Sequence, residues 1–538
     1  MACILLVDDD SDQLETRGLL LERAGHRILC ATTPAEALQQ FASTRVDAVC
    51  MDLRLPEPED GRALIRLLRE RSADVRIVIL SGWTEGFAGS PESEMVQAVL
   101  QKPVRSERLL GLLGRTATLI LTLLVPAVSA APHRFRMAGE GEAVAEISMQ
   151  APGADWGRPG REAAVAELWV DGEHSSDVLG LGERGQGNYR ILLGRLGQGE
   201  HAVEIRRSAA HSAADISPVV SQVSVQPYYP DSAEYRMIAH APYLQARANT
   251  IGRFTDVPLF AYCERIDGAG GECLQYTIVF SNEDGGTSTR ALMARWGRTT
   301  DIEHVYRVCF DRGGAVSSAV IQTRDHKEVS FEGIREGQHP VLAVVTDNNM
   351  VAAADGVSPL RFHLAPRLVD VSRSTRESTM DDLPWSYLVM AAELEREGKL
   401  RPAGSVDGQK ISDPRNYLYV EAEIGNKESR LAAQVRLNGE GTWRSAHLGR
   451  TDYAIERSGW IRTAIELPPG TTPGQVAEIG FECLTEDNTK LAGECELRQV
   501  SRAFFLNVGL APGPPLWSLP AGERRFSSGH ALTFRVGH

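Results

Sequence analysis

The sequence predicts a multidomain chain: an N-terminal α/β unit built on a doubly wound, five-stranded parallel sheet, followed by mainly antiparallel β-sandwich domains. Three observations lead there. The length of 538 residues exceeds what one hydrophobic core serves. Residues 3–114 alternate short apolar runs with segments that carry Leu and Ile at helical spacing. From His133 onward, runs that alternate apolar and polar residues are separated by turn signals such as Asp171-Gly172 and Gly197-Gln-Gly199, the pattern of antiparallel strands with one wet face.

Taken in order, Cys3 to Val7, Arg27 to Ala31, Ala48 to Met51, Val75 to Leu80 and Val99 to Gln101 read as strands. Each is too short and too uniformly apolar to be half-exposed, so they belong in a parallel sheet covered on both faces. Asp12 to Ala24, Pro34 to Ser43, Gly61 to Arg71 and Arg105 to Gly114 read as the covering helices, while Gly82 to Ser93 is rich in Gly and Ser and poorly suited to a fourth. The resulting unit spans 1–114, and a mostly apolar connector spans 115–132. A β-sandwich is expected over 133–225, carrying Ala163 to Val170, Asn188 to Leu193 and His201 to Ile205 as strands. A mainly β domain over 226–400 ends in an amphipathic helix, Pro384 to Glu397, and a further β-sandwich spans 401–505. The Pro- and Gly-rich tail, 506–538, is expected to be poorly ordered.

The formal net charge of −14, with no basic tract, argues against a nucleic-acid-binding output, which needs clustered Lys and Arg. Basic residues are nearly all Arg, and Lys102 is the only lysine before Lys327. Cys3, Cys30 and Cys50 lie early, whereas Cys263, Cys273, Cys309, Cys483 and Cys495 lie far downstream. Cys263/Cys273 and Cys483/Cys495 each flank a turn-forming run, which places each pair to oxidise across a hairpin in an exported compartment; buried free thiols are the alternative, and Cys309 has no evident mate.

Thr116 to Ala131 is uncharged and mostly apolar, with a basic flank before it and small residues at Val128-Ser-Ala130. It has the parts of a secretory signal in an internal position, and at about 16 residues it is short of the roughly 20 a membrane span needs. Three readings follow: a signal-anchor that leaves 1–114 cytoplasmic and exports 133–538, a cleavable signal fused to an upstream reading frame, or an overlong final helix in a wholly cytoplasmic chain.

In open parallel sheets, chemistry sits at the carboxyl ends of the strands. Strand one ends in Asp8-Asp9-Asp10, strand three in Asp52, strand four in Ser81 and strand five in Lys102-Pro103. In the strand order 2-1-3-4-5 these ends are neighbours, so carboxylates, a hydroxyl and an ammonium converge on one crevice. Crowded carboxylates call for a cation, and a hard, oxygen-preferring Mg²⁺ suits them. An Asp52 carboxylate oxygen would then be a nucleophile towards phosphorus, with Lys102 as a point charge and Ser81 as a hydroxyl able to turn towards the new phosphoryl group.

These residues resemble the response-regulator receiver family, and the resemblance covers the first domain. Val7-Asp8-Asp9 looks like its acidic pair, Met51-Asp52-Leu-Arg-Leu-Pro56 its phosphoacceptor strand, Leu80-Ser81-Gly its switch hydroxyl, and Lys102-Pro103 its lysine–proline dipeptide. The resemblance implies a flavodoxin-like fold, Asp52 as phosphoacceptor, and Mg²⁺ on Asp8, Asp9, Asp52 and the Arg54 backbone carbonyl. It also implies a histidine kinase or phosphotransfer protein as partner and a two-component phosphorelay as the setting. Enzymatic activity beyond self-phosphorylation and dephosphorylation is not expected. Three residues before the lysine, where the family often has Tyr or Phe, this chain has Val99.

Between Tyr276 and Asp355, polar clusters recur: Phe280-Ser-Asn-Glu-Asp-Gly-Gly286, Ala294 to Glu303, Gln322-Thr-Arg-Asp-His326 and Gly337-Gln-His-Pro340. The region from about 240 to 400 is similar in part to the Vps62-like family, in which a tryptophan-containing acidic motif precedes a histidine segment and a histidine–proline segment. Asp301, Glu303, His326 and His339 are the candidate metal ligands or acid–base groups of a second site, and Asn282 to Gly286 is equally a turn. Three overall functions are open: a phosphorylation-controlled β-rich module, an exported ligand-binding β-sandwich protein joined to the first domain by gene-model fusion, or a hydrolase in 226–370.

Overall fold

The computed structural model describes residues 3–10, 14, 18, 21, 26–55, 58–72, 75–81, 90–101, 132–181, 187–213, 215–247, 257–268, 271–283, 286–356, 358, 360–401, 410–485 and 493–537. They fall into two units, Met1–Val125 and Pro126–His538.

In the first unit, β1 (Cys3–Val7), β2 (Arg27–Ala31), β3 (Ala48–Met51), β4 (Arg76–Ser81) and β5 (Ala98–Gln101) pair in the order β2-β1-β3-β4-β5. All four pairings are parallel. Because successive strand residues face opposite ways, the apolar residues of this sheet feed two cores. Leu5, Val7, Val49, Met51, Ile77 and Ile79 pack with Ala37 of α1 (Pro34–Ser43) and with Leu64, Ile65 and Leu68 of α2 (Pro58–Arg71). Ile4, Leu6, Ala48, Cys50, Val78 and Leu80 pack on the other face with Leu14 and Leu21. The central strands β1 and β3 are apolar because both of their faces are covered, whereas the edge strands β2 and β5 expose Arg27, Cys30 and Val99. Thr33 starts α1 by accepting the Glu36 N–H, and Glu36 in return accepts from Thr32. Most of the expected first helix, the last helix and the apolar run 116–131 lie outside the described residues. Of the expected fourth helix, only the 3₁₀ turn Pro91–Met95 is described. Among the described residues no helix is long and apolar enough to cross a membrane.

The second unit is built from mainly antiparallel sheets; Tyr243–Gln245 pairs parallel with His339–Val344, and Pro258–Gly268 with Arg367–Leu368. β6 (His133–Met137), β7 (Gly141–Gln150), β8 (Ala164–Val170), β9 (Glu173–Gly180), β10 (Gly187–Leu196), β11 (Gly199–Arg207) and β12 (Val219–Tyr228) form sheets of order β10-β7-β12 and β6-β11-β8-β9. Val144 and Ile147 of one sheet and Val165, Leu168, Val203 and Ile205 of the other meet in one core. That core does not stop at residue 225. It continues through Tyr276 and Tyr306 of the central six-stranded sheet, and through Tyr387 and Leu394 of the helix Trp385–Arg396, to Leu506. The expected boundary between 133–225 and 226–400 is therefore a change of sheet and not a change of core.

A second core joins the C-terminal sheets and includes Val420, Val435, Phe481, Leu497, Phe526 and Val536. The tail expected to be poorly ordered supplies three of the strands here. Trp517–Leu519 and Arg524–Ser527 pair with Glu494–Phe504, and Ala531–Arg535 pairs with Val476–Thr485. Its Pro and Gly residues lie between strands, and Phe526 in one strand and Val536 just past another complete the core, which composition alone hides.

Two disulfides, Cys273–Cys309 and Cys483–Cys495, lie in the second unit, and Cys263 is a buried free thiol. The expected Cys263/Cys273 pair is corrected: on adjacent strands Cys263 faces Tyr276, whereas Cys273 lies directly opposite Cys309 with Cα atoms 4.0 Å apart. Cys483 and Cys495 do pair, but they belong to strands of different sheets, so the bond ties the two C-terminal sheets together. Replacing Cys273 and Cys309 together with Ser should lower the unfolding free energy by about 3–4 kcal/mol, read from urea midpoints, because the bond closes a long loop. An unchanged midpoint would show that this loop adds no constraint.

Candidate functional site

The parallel register sets the first site. Val7 aligns with Met51, and Met51 with Ile79, so β1 and β3 end level while β4 runs two residues further, to Ser81. The ladder runs one residue further: the Asp52 N–H donates to Val7 O at 2.9 Å, and the Asp8 N–H donates to Ala31 O at 3.3 Å. Asp8 and Asp52 are thus first residues beyond neighbouring strands. Their side chains behave alike, since Asp8 Oδ1 accepts the Asp10 N–H and Asp52 Oδ1 accepts the Arg54 N–H, both at 3.1 Å. Asp8 is buried, Asp52 is half-buried, and Asp9, Asp10 and Arg54 are exposed.

The loop that follows Asp52 is held from below. A Cβ on Gly61, in the first turn of α2, would stand 2.0 Å from Leu53 O, so only glycine lets the helix approach this closely. Leu53 and Leu55 are buried, and Arg54 between them faces out with Asp52. Ser81 ends β4, paired with Gln101 at the end of β5. Lys102, Pro103 and the Ser81 side chain lie outside the described residues. Val99, at the family's aromatic position, is 36% exposed.

Asp8, Asp9 and Asp52 offer carboxylate oxygens and Arg54 a carbonyl, the ligand types a hard divalent cation prefers. Among the described residues, no three His, Cys, Asp or Glu side chains gather closely enough to form a metal cluster by themselves. The carboxylates of Asp8 and Asp52 are instead turned onto the backbone N–H groups two residues on, which lessens their mutual repulsion.

The second candidate site is divided by the fold. Asp301, Glu303 and His326 come together: Asp301 is fully buried, it hydrogen-bonds Glu303, and Glu303 Oε2 lies 3.8 Å from His326 Nδ1. Burial raises the Asp301 carboxyl well above its ordinary range and moves Glu303 up to about 7. Glu283, which the sequence hides in a turn-like run, joins them and is also raised by burial to about 7. Asn349 donates to Asp301 at 2.9 Å and to the carbonyl of Asn282 at 3.1 Å. The neighbouring pair Asp284-Gly285 lies outside the described residues.

His339 does not belong to this group. It begins the strand His339–Val344, and Asn349 sits at that strand's far end, roughly 17 Å away at the usual strand rise. His339 is buried, with Nδ1 2.8 Å from Ala241 O and Nε2 3.2 Å from Glu142. Its ring stacks on Tyr243 at 4.3 Å, and His363 stacks on the other face of Tyr243 at 3.5 Å. This is a packing column, and it accounts for a histidine that spacing alone makes look like a ligand.

The Glu303 environment makes a signed prediction. A carboxyl raised by burial adds stability below its unfolded value near 4.5, and loses it as the pH climbs through about 7. Glu303→Gln removes that loss, so the variant should gain on the order of 2–3 kcal/mol relative to the parent between pH 5 and pH 8.5. Urea unfolding at the two pH values checks this, and a difference independent of pH would refute it.

A family model described as the response regulator receiver domain matches residues 4–113. The transcriptional regulatory protein PrrA of Mycobacterium leprae is 37% identical over 78 residues, which are 14% of this chain and 33% of PrrA. The tetrathionate response regulatory protein TtrR of Salmonella typhimurium is 31% identical over 121 residues, covering 22% of this chain and 57% of that protein. The sensory/regulatory protein RpfC of Xanthomonas campestris is 30% identical over 131 residues, covering 23% and 18%. The chain thus spans about a third of the length of PrrA and a little over half of TtrR. Among solved structures, the response regulator TrrA of Thermotoga maritima in complex with Mg²⁺ and BeF is 26% identical and matches 20% of this chain and 93% of its own, with a TM-score of 0.19. With the sheet order and the sequence match in agreement over the same segment, residues 4–113 belong to the response regulator receiver family.

Proposed function

We propose that Asp52 is the phosphoacceptor of this receiver domain, and that a histidine kinase or phosphotransfer protein is its donor. The observation that carries the reading is the placement of Asp52 and Asp8 one residue past neighbouring parallel strands, on the rim where Ser81 also ends its strand. An Asp52 carboxylate oxygen attacks phosphorus; the bond from phosphorus to the donor's imidazole nitrogen breaks, and its electron pair leaves with the imidazole. The product is an acyl phosphate on Asp52. Asp8, Asp9 and Asp52 with the Arg54 carbonyl would hold Mg²⁺, which when bound offsets charge on the phosphoryl oxygens. Lys102 supplies a compact positive charge, and Ser81 a hydroxyl that can follow the new phosphoryl oxygen. The test is phosphoryl transfer from acetyl phosphate to the intact chain with Mg²⁺ present or chelated. Labelling that ignores chelation would remove the metal from this reading.

The β-rich unit is then the module under control, and its disulfides favour an oxidising compartment for residues 132–537. In this second reading the receiver stays cytoplasmic, and 116–131 is a membrane anchor between the two. Alkylation of the natural protein before and after reduction distinguishes the cases. Bonded Cys273, Cys309, Cys483 and Cys495 are expected, and free thiols at all four would place the unit in a reducing compartment.

A further inference from the structure

In the second unit, a cavity of about 610 Å³ opens beside the short helix Tyr235–Ala239, within the range of small-molecule sites. Its lining carries three guanidinium groups, Arg195, Arg236 and Arg265, and one carboxylate, Glu272. Glu272 is shared: Oε2 lies 3.4 Å from Arg236 and Oε1 lies 3.4 Å from Arg265. Both separations exceed the roughly 2.7–2.9 Å of a good charge-assisted bond, so one carboxylate spans two forks without satisfying either. Arg195 pairs with Glu140 at 3.0 Å. Three guanidiniums against these two carboxylates leave an excess of one positive charge. Glu142, opposite Arg195 and 3.2 Å from His339, adds one negative charge nearby, and Arg335, which acts on His240, offsets it.

Phe310, only 2% exposed, backs this cluster, and Tyr235 lines the same cavity. The Arg236 guanidinium lies 4.7 Å over the Phe310 ring, and His240 meets the same ring edge-on at 5.1 Å. His240 is 8% exposed and its Nδ1 has no hydrogen-bond partner, a polar group left open in an otherwise closed wall. Burial and the neighbouring cations lower His240 to about 4, so it adds hydrogen-bonding capacity and no charge at neutral pH.

From the excess guanidinium charge, the aromatic lining and the cavity's size, we infer that this pocket binds a small organic molecule with a flat apolar body and an oxyanion head. The head lies between Arg236 and Arg265, replacing Glu272 as their partner, and the body lies beside Tyr235 and Val316, which line the same cavity and are accessible.

Isothermal titration of the intact chain with phenyl phosphate tests this, with benzyl alcohol as the neutral comparison. Saturable one-to-one binding of phenyl phosphate is expected, weakening as salt is added, with none for benzyl alcohol. Arg236→Gln with Arg265→Gln should weaken binding at least about tenfold, the worth of one charge-assisted hydrogen bond. Glu272→Gln should tighten it severalfold by releasing both forks, a gain that damage to the fold cannot mimic. Absence of saturable binding, equal binding of the neutral compound, or no tightening in Glu272→Gln would each overturn the assignment.

Discussion

Replacing Asp52 with Ala will bring labelling of the intact chain by acetyl phosphate and Mg²⁺ down to background, a fall of at least about a hundredfold. Other carboxylates on the surface lack a neighbouring acidic pair and a fixed approach, and misplacement alone costs that much. Asp52 is fixed on three sides. Its N–H is tied to Val7 O, its Oδ1 accepts from Arg54, and Leu53 and Leu55 anchor the loop after it in the core. Asp52→Asn is the sharper variant, because an amide oxygen keeps the bond to the Arg54 N–H while losing the nucleophile. It should also give no acid-labile phosphate, and full labelling in either variant would disprove the assignment.

The largest stability effect is expected at Arg462, which is fully buried. Its guanidinium donates to Glu421, to Asp381 at 3.0 Å and to the Tyr387 hydroxyl. Arg502 engages the same two acids, its Nε reaching Glu421 at 2.7 Å, so two cations balance two anions among four segments of chain. Burial by itself would raise Glu421, but the two arginines outweigh it and hold the carboxyl at about 2. Arg462→Met leaves the buried Glu421 and the half-buried Asp381 facing one cation and should cost about 3–5 kcal/mol in urea unfolding. The parent's Glu421 contributes stability that is complete above its unfolded value near 4.5 and is lost as pH falls towards 2. In Arg462→Met that loss should begin at higher pH. Removing a partner acid as well, as in Arg462→Met with Glu421→Leu, should recover part of the loss. A variant as stable as the parent would mean that the network contributes nothing net.

What the sequence made legible was what local pattern controls. The five parallel strands of the first unit fall within a residue or two of their expected bounds, because a strand buried on both faces is apolar without interruption. The helices Pro34–Ser43 and Trp385–Arg396 were legible from spacing and from the residues that open them. The place of Asp8 and Asp52 just beyond neighbouring strands was legible because strand ends in a parallel sheet are fixed by strand order. What stayed hidden depends on contacts far apart in sequence. Cys309 faces Cys273 across a strand pair, not across the nearest turn. Glu283 reads as part of a turn until Asp301 and Glu303 are beside it, and His339 looks like a ligand until Tyr243 and Glu142 enclose it. The tail strands are short and separated by Pro and Gly, so only their pairing with Val476–Thr485 and Glu494–Phe504 reveals them.

The phosphoacceptor assignment meets its most direct test in mapping the acyl phosphate itself. Borohydride reduction of the labelled chain converts a phosphorylated aspartate into homoserine, and tandem mass spectrometry of the peptides then locates it. Homoserine at position 52 is the expected result; homoserine at Asp8, Asp9 or Asp10 with Asp52 intact would contradict it.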